Sequence, residues 1–178
     1  VPLQLILILT AEIRAEILSA LRSSGRREVG GILMAEHVAR DTFVVRSITV
    51  HSRGTFAAFV RRIEEALAPL RLFFRRANQD YTRFNYIGEW HSHPSFAPVP
   101  SLPDDLSMRE IVQDTRVGAN FVVLLIVKLA DDGKLDGSVH TYLPDGSKHP
   151  SLLRYEDASQ TVTRATPEAQ AHSREQEM

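Results

Sequence analysis

The chain has 178 residues, 43% of them hydrophobic, which suits one domain, since a chain of about 150 residues buries roughly 68 to 70% of its unfolded surface around a single core. Its 21 Lys and Arg balance 22 Asp and Glu, so no net field draws it onto nucleic acid or an anionic membrane, and neither is expected as a partner. The absence of cysteine excludes a disulfide scaffold, a thiolate metal site and a cysteine nucleophile, but seven histidines leave a site of imidazoles and carboxylates open.

Leu3 to Leu9 is an apolar run broken by Gln4, too short for a membrane span of about 20 residues, and no basic stretch precedes it as in a signal sequence. A cytoplasmic protein is expected. Thr10 then caps a helix in which Ile13, Ile17 and Leu21 repeat on one face, and Gly25 stops it after Ser24. Glu28 to Met34 and Phe43 to Val50 read as two antiparallel strands about a polar turn. A second helical pattern sets Phe59, Ile63, Leu67, Leu70 and Phe74 on one face, split by Pro69 and closed at Arg75 and Arg76. Asn85 to Trp90 is a short strand. Pro94, Pro98, Pro100 and Pro103 force the following stretch into an irregular loop, and a third helix runs from about Ser101 to Asp114. The apolar run Phe121 to Leu129 predicts a buried central strand, and Asp131-Asp132-Gly133-Lys134 turns the chain into a strand ending at Tyr142. Beyond Asp157 almost no large apolar residue remains, so residues 1–156 are expected to form the domain and 157–178 a polar tail.

The chemistry concentrates in His91-Ser92-His93. Residues at i and i+2 of an extended chain share a side, so both imidazoles can chelate one cation. Asp104, on the first turn of the next helix, can return across the proline-rich loop as a third, oxygen ligand. Two imidazoles and one carboxylate leave a coordination position for water, the arrangement of a catalytic zinc, although Fe²⁺, Co²⁺ or Mn²⁺ also suits these donors. Each residue taken singly has a plainer reading. A lone histidine at a strand end is commonly a hydrogen-bonded surface residue, Ser101-x-x-Asp104 is a helix-capping box, Glu28 is an ordinary exposed acid, and Trp90 and Phe96 are packing residues. The joint spacing, His-x-His, seven residues, then Ser-x-x-Asp, has a chance frequency of roughly one in a few thousand in a chain of this length. A cap and a ligand can also be one structure, because the cap pins the helix start that presents Asp104.

Glu28 followed by Val-Gly-Gly-Ile-Leu-Met, then Gly88-Glu89-Trp90-His91-Ser92-His93-Pro94, then Ser101-x-x-Asp104, resembles the JAMM motif of the JAB/MPN metallopeptidases, in the G-E-W-H-[ST]-H-P form of their short prokaryotic branch. The resemblance spans about Leu3 to Tyr142. It implies an α+β, cytidine-deaminase-like fold with a mixed, largely antiparallel sheet flanked by helices. It implies one Zn²⁺ per chain held by His91, His93 and Asp104, with Glu28 as general acid/base and Ser101 helping to hold the developing oxyanion. The implied activity is peptide or isopeptide cleavage after the C-terminus of a ubiquitin-like or conjugated protein. Short bacterial members with this form of the motif resemble the deconjugating peptidases of anti-phage operons, among them those of type II CBASS systems and of bacterial ubiquitin-like conjugation systems, whose E1-like and E2-like conjugation enzymes would be partners. The alternatives are a peptidase that trims a sulfur-carrier ubiquitin-like protein and a non-catalytic MPN scaffold. Scaffolds typically lose metal-site residues, and all five residues of the motif are present here. An exposed strand edge beside the site is expected to receive the substrate tail as an added strand.

Overall fold

The computed structural model describes residues 4–51, 70–115 and 117–156. In chain order these form β1 (Ile6–Leu9), α1 (Ala11–Ser24), β2 (Gly30–Ala39), β3 (Thr42–Ile48), β4 (Phe84–Ser92), α2 (Leu102–Gln113), β5 (Val122–Leu129), β6 (Leu135–Tyr142) and β7 (Lys148–Tyr155). Residues 70–76 are also helical; the expected helix upstream of them, with Phe59, Ile63, Leu67 and Pro69, lies outside the described residues, as does the expected tail. No helix among the described residues is long and apolar enough to cross a membrane.

The first helix forms where its caps and apolar spacing predict. Thr10 Oγ1 accepts the Ile13 N–H at 3.2 Å, a cap worth about 1 kcal/mol, and Gly25, at φ 60°, closes the last turn by donating its N–H to the Leu21 carbonyl. Ile13, Ile17 and Leu21 are buried with Leu5, Leu7 and Leu9, each contributing roughly 1.5 to 3 kcal/mol.

The strands run β1-β3-β2-β4-β5-β6-β7, and β7 returns to pair with β1, so the sheet closes on itself. The β1–β3, β4–β5 and β1–β7 pairs are parallel and the other four antiparallel, which gives the mixed, largely antiparallel α+β sheet expected. Closure itself was not foreseen. It depends on β7, a strand absent from the sequence reading, where Pro150 is tolerated because it pairs only with β6. Closure also removes the expected edge. Each of the seven strands has two neighbours, and β4, which carries the histidines, lies between β2 and β5.

The central strand shows why an unbroken apolar run was needed. Val123, Leu125 and Val127 of β5 join the cluster that includes α1, while Val122, Leu124 and Ile126 pack on Met108, Ile111 and Val112 of α2. Gly88, at φ 146°, lets β4 approach β5 closely; a Cβ there would stand 1.9 Å from the Val123 carbonyl oxygen. Beside it the β2–β4 register shifts, and beyond the shift Trp90 turns into the α1 cluster while Glu89 and His91 face α2, opposite Leu124 and Ile126.

A separate polar group lies on β2. Glu36 is buried, 4% exposed, and accepts Arg46 Nε and Nη2 at 2.7 Å each and an ion pair from Arg83. Burial alone would raise its pKa, but the two guanidinium groups outweigh that and hold it below the ordinary value.

Candidate metal centre

At the end of β4 both imidazoles turn Nε2 toward one point. The two Nε2 atoms are 3.0 Å apart, His91 Nε2 lies 3.5 Å from Asp104 Oδ1, and His93 Nε2 lies 3.6 Å from Asp104 Oδ2. All three residues are buried, and the donor atoms lie within 4.8 Å of one another. A tetrahedral cation with ligands at about 2.0 to 2.2 Å separates its ligand atoms by roughly 3.3 to 3.6 Å, so the donor set fits such an ion with little adjustment. The carbonyl of Ala97 reinforces the fit. It can only accept, so His93, 3.1 Å away through Nδ1, carries its proton there in the neutral form and turns an Nε2 lone pair into the cluster.

Asp104 owes its place to the start of α2. Ser101 is the N-cap: its Oγ accepts the Asp104 N–H, and its own N–H donates back to Asp104 Oδ2 at 2.7 Å, a reciprocal capping box with Pro103 in the first turn. The Ser101 hydroxyl also donates to Asp104 Oδ2 at 2.6 Å. Burial would raise the Asp104 pKa, but His91 and Ser101 outweigh it and bring it to about 2. The adjacent Asp105 fastens the helix to the last two strands, accepting Tyr142 OH at 2.6 Å and Lys148 Nζ at 2.8 Å. β7 therefore helps fix the orientation of the helix that carries Asp104.

The remaining expected residues are distributed as follows. Glu28 is exposed, just before β2. The register sets Gly30 opposite His91, and Val29, the residue after Glu28, both donates its N–H to Ser92 Oγ and accepts the Ser92 N–H. Ser92, to which the sequence assigns no role, thus ties the segment just after Glu28 to the strand that carries the histidines; its place between two inward-facing ligands was the available signal. Trp90 is fully buried and donates Nε1–H to the Thr49 carbonyl, as a packing residue should. Phe96 departs from expectation. It is 68% exposed and meets His93 edge-on, because the proline-rich loop carries it away from the core. Val99, Leu102 and Leu106 are exposed on the same loop and the start of α2.

A family model for prokaryotic homologues of the JAB domain matches residues 10–141. The chain belongs to this family. Its JAB domain has the fold of protein DSY2949 from Desulfitobacterium hafniense, with a TM-score of 0.55 at 21% identity over 84% of this chain and 94% of that one. AF2198, a JAB1/MPN domain protein from Archaeoglobus fulgidus, compares at a TM-score of 0.43 and 12% identity, over 83% and 96% of the two chains. No curated protein matches the chain. The JAB domain thus carries a His-His-Asp cluster able to hold a metal ion, of the JAMM type.

One further acid shares the face of the cluster. Glu89, two residues before His91, is 2% exposed, and neither carboxylate oxygen has a hydrogen-bond partner among the described residues. Burial pushes its pKa well above the ordinary carboxylate range.

Proposed function

We propose that this JAB domain is a zinc-dependent peptidase or isopeptidase that cleaves after the C-terminus of a ubiquitin-like protein or of a protein conjugated in the same manner. The observation that carries this reading is the convergence of the His91, His93 and Asp104 donors in a chain of the JAB family. His91, His93 and Asp104 would hold a zinc ion, which would supply Lewis acidity and a water nucleophile near neutral pH. The chain's own residues perform the remaining steps. Glu28, exposed just before β2, takes the proton from the attacking water and passes it to the departing amine, a role typically worth 10² to 10⁴ in rate. Ser101 turns its hydroxyl from Asp104 to the oxygen of the scissile carbonyl as charge develops there, a contact worth roughly 3 kcal/mol.

The surroundings favour a protein substrate. Phe96, Val99, Leu102 and Leu106 offer apolar surface beside the cluster, open to solvent. Because β4 is paired on both sides, the tail is held by side chains of this loop and helix rather than as an added strand. The G-E-W-H-[ST]-H-P form of the motif supports the finer reading of a bacterial deconjugase of the anti-phage type, with E1-like and E2-like enzymes as partners. The test is incubation with a ubiquitin-like C-terminus fused to a reporter, with and without chelator, and mass spectrometry of the products. One cut directly after the terminal residue, lost on chelation and restored by zinc, is expected. Scattered cuts, or an unchanged rate after verified metal removal, overturn the reading, and no cut by a zinc-loaded protein points to a scaffold.

A further inference from the structure

We infer that Glu89 is a positioning residue of the metal centre, whose carboxylate serves as hydrogen-bond acceptor and counter-charge for His91 when a divalent cation is bound. The inference rests on the metal reading proposed above. Both histidines direct Nε2 to the cluster. A neutral imidazole that ligates through Nε2 carries its proton on Nδ1, where an acceptor fixes the ring and strengthens the ligand. For His93 that acceptor is the Ala97 carbonyl. Glu89 is the counterpart for His91. The two side chains project from one face of β4, and their partners in register on β5, Leu124 and Ile126, lie together in the apolar cluster under α2.

The charge balance points the same way. Two neutral imidazoles and one carboxylate give the donor set a charge of about −1 against +2 on a divalent cation, which leaves a positive charge in a buried site. A carboxylate two residues along the same face offsets it. Without that task Glu89 is hard to account for, because an acid between Leu124 and Ile32 with neither cation nor hydrogen bond among the described residues opposes folding. Glu36, on the neighbouring strand, shows the usual remedy, two arginines.

The test is chelator-competition titration of the full chain with zinc, together with thermal melting of the metal-free protein. Glu89→Gln keeps the shape and removes the charge. Zinc affinity is expected to fall about 10- to 100-fold while the metal-free melting temperature moves by no more than about 2 °C. The cobalt-substituted protein, read by its visible absorption, should shift its bands in the same variant. Wild-type zinc affinity in Glu89→Gln overturns the inference and leaves the peptidase proposal standing. Absence of zinc, cobalt and manganese binding by the unaltered protein overturns both. Should Glu89→Gln not fold, Glu89→Met, similar in volume and uncharged, is judged by the same affinity criterion.

Discussion

Glu36 and Glu89 are buried acids on neighbouring strands, and the fold treats them in opposite ways. Glu36 is neutralised from within by Arg46 and Arg83, so its ionised form belongs to the folded protein as it stands. Glu89 lies between Ile32 and Leu124 with no hydrogen-bond partner among the described residues, and the same burial works against its charge. The sheet supplies two arginines to Glu36 and, among the described residues, none to Glu89. Burial alone does not tell these apart; the partners do.

The most severe way to break this contrast is to remove the cluster that Glu89 is inferred to serve. In the double variant His91→Ala with His93→Ala, elemental analysis should fall from about one zinc per chain to nearly none, because one carboxylate cannot hold the ion alone. Zinc retained at full stoichiometry there would sink the ligand assignment. Next in size is the exposed acid of the site. Glu28→Gln should keep metal and melting temperature while turnover drops roughly 10² to 10⁴-fold, as measured by steady-state cleavage of the reporter fusion. A wild-type rate would return Glu28 to the surface.

Smaller effects sharpen the structural side of the comparison. Glu36→Gln should leave zinc affinity unchanged and cost about 1 to 2 kcal/mol, discounted because both arginines are partly exposed, which lowers the melting temperature by about 2 to 8 °C. The pKa of Glu36 is depressed, so its contribution is fully present above the ordinary carboxylate range and is lost as pH falls through the lowered value. Melting curves of wild type and variant should therefore converge in acid and separate at neutral pH. The smallest effect belongs to the polar segment beyond Asp157. Deletion from Ser159 onward should change neither zinc content nor, by more than about 2 °C, the melting temperature, and a larger loss would show that the segment contributes to the domain.

Much of this was legible wherever a local rule and a tertiary need coincide. The Thr10 cap, the Ile13-Ile17-Leu21 stripe and the Gly25 stop define α1 without reference to the rest of the chain. The Ser101 capping box announces α2 and the third ligand together, and period-two alternation puts both histidines on one face. What stayed hidden depends on distant partners. Lys148-His149-Pro150-Ser151 carries no apolar run and contains a proline, so only its pairing with β6, and that of the next residues with β1, makes the segment a strand. Glu89 was legible as part of the G-E-W-H motif, but its burial without a partner emerges only once Leu124 and Ile32 flank it. The family resemblance gave the Ser101 hydroxyl to the oxyanion, whereas the folded protein also commits it to Asp104.

The parallel pairing of β1 with β7 has a consequence for how the molecule is made. It joins the first of the described strands to the last, so a nascent chain cannot complete this sheet until Tyr155 has left the ribosome. Nearly every other strand is available earlier, but a long-range parallel pairing is slow to find, since chain entropy is lost before its contacts form. During that interval β1 and β6 each carry a row of unpaired backbone groups. A chain halted before Lys148 is consequently a template for pairing with another copy of itself, and release of the final strand converts an association-prone intermediate into a sheet without edges.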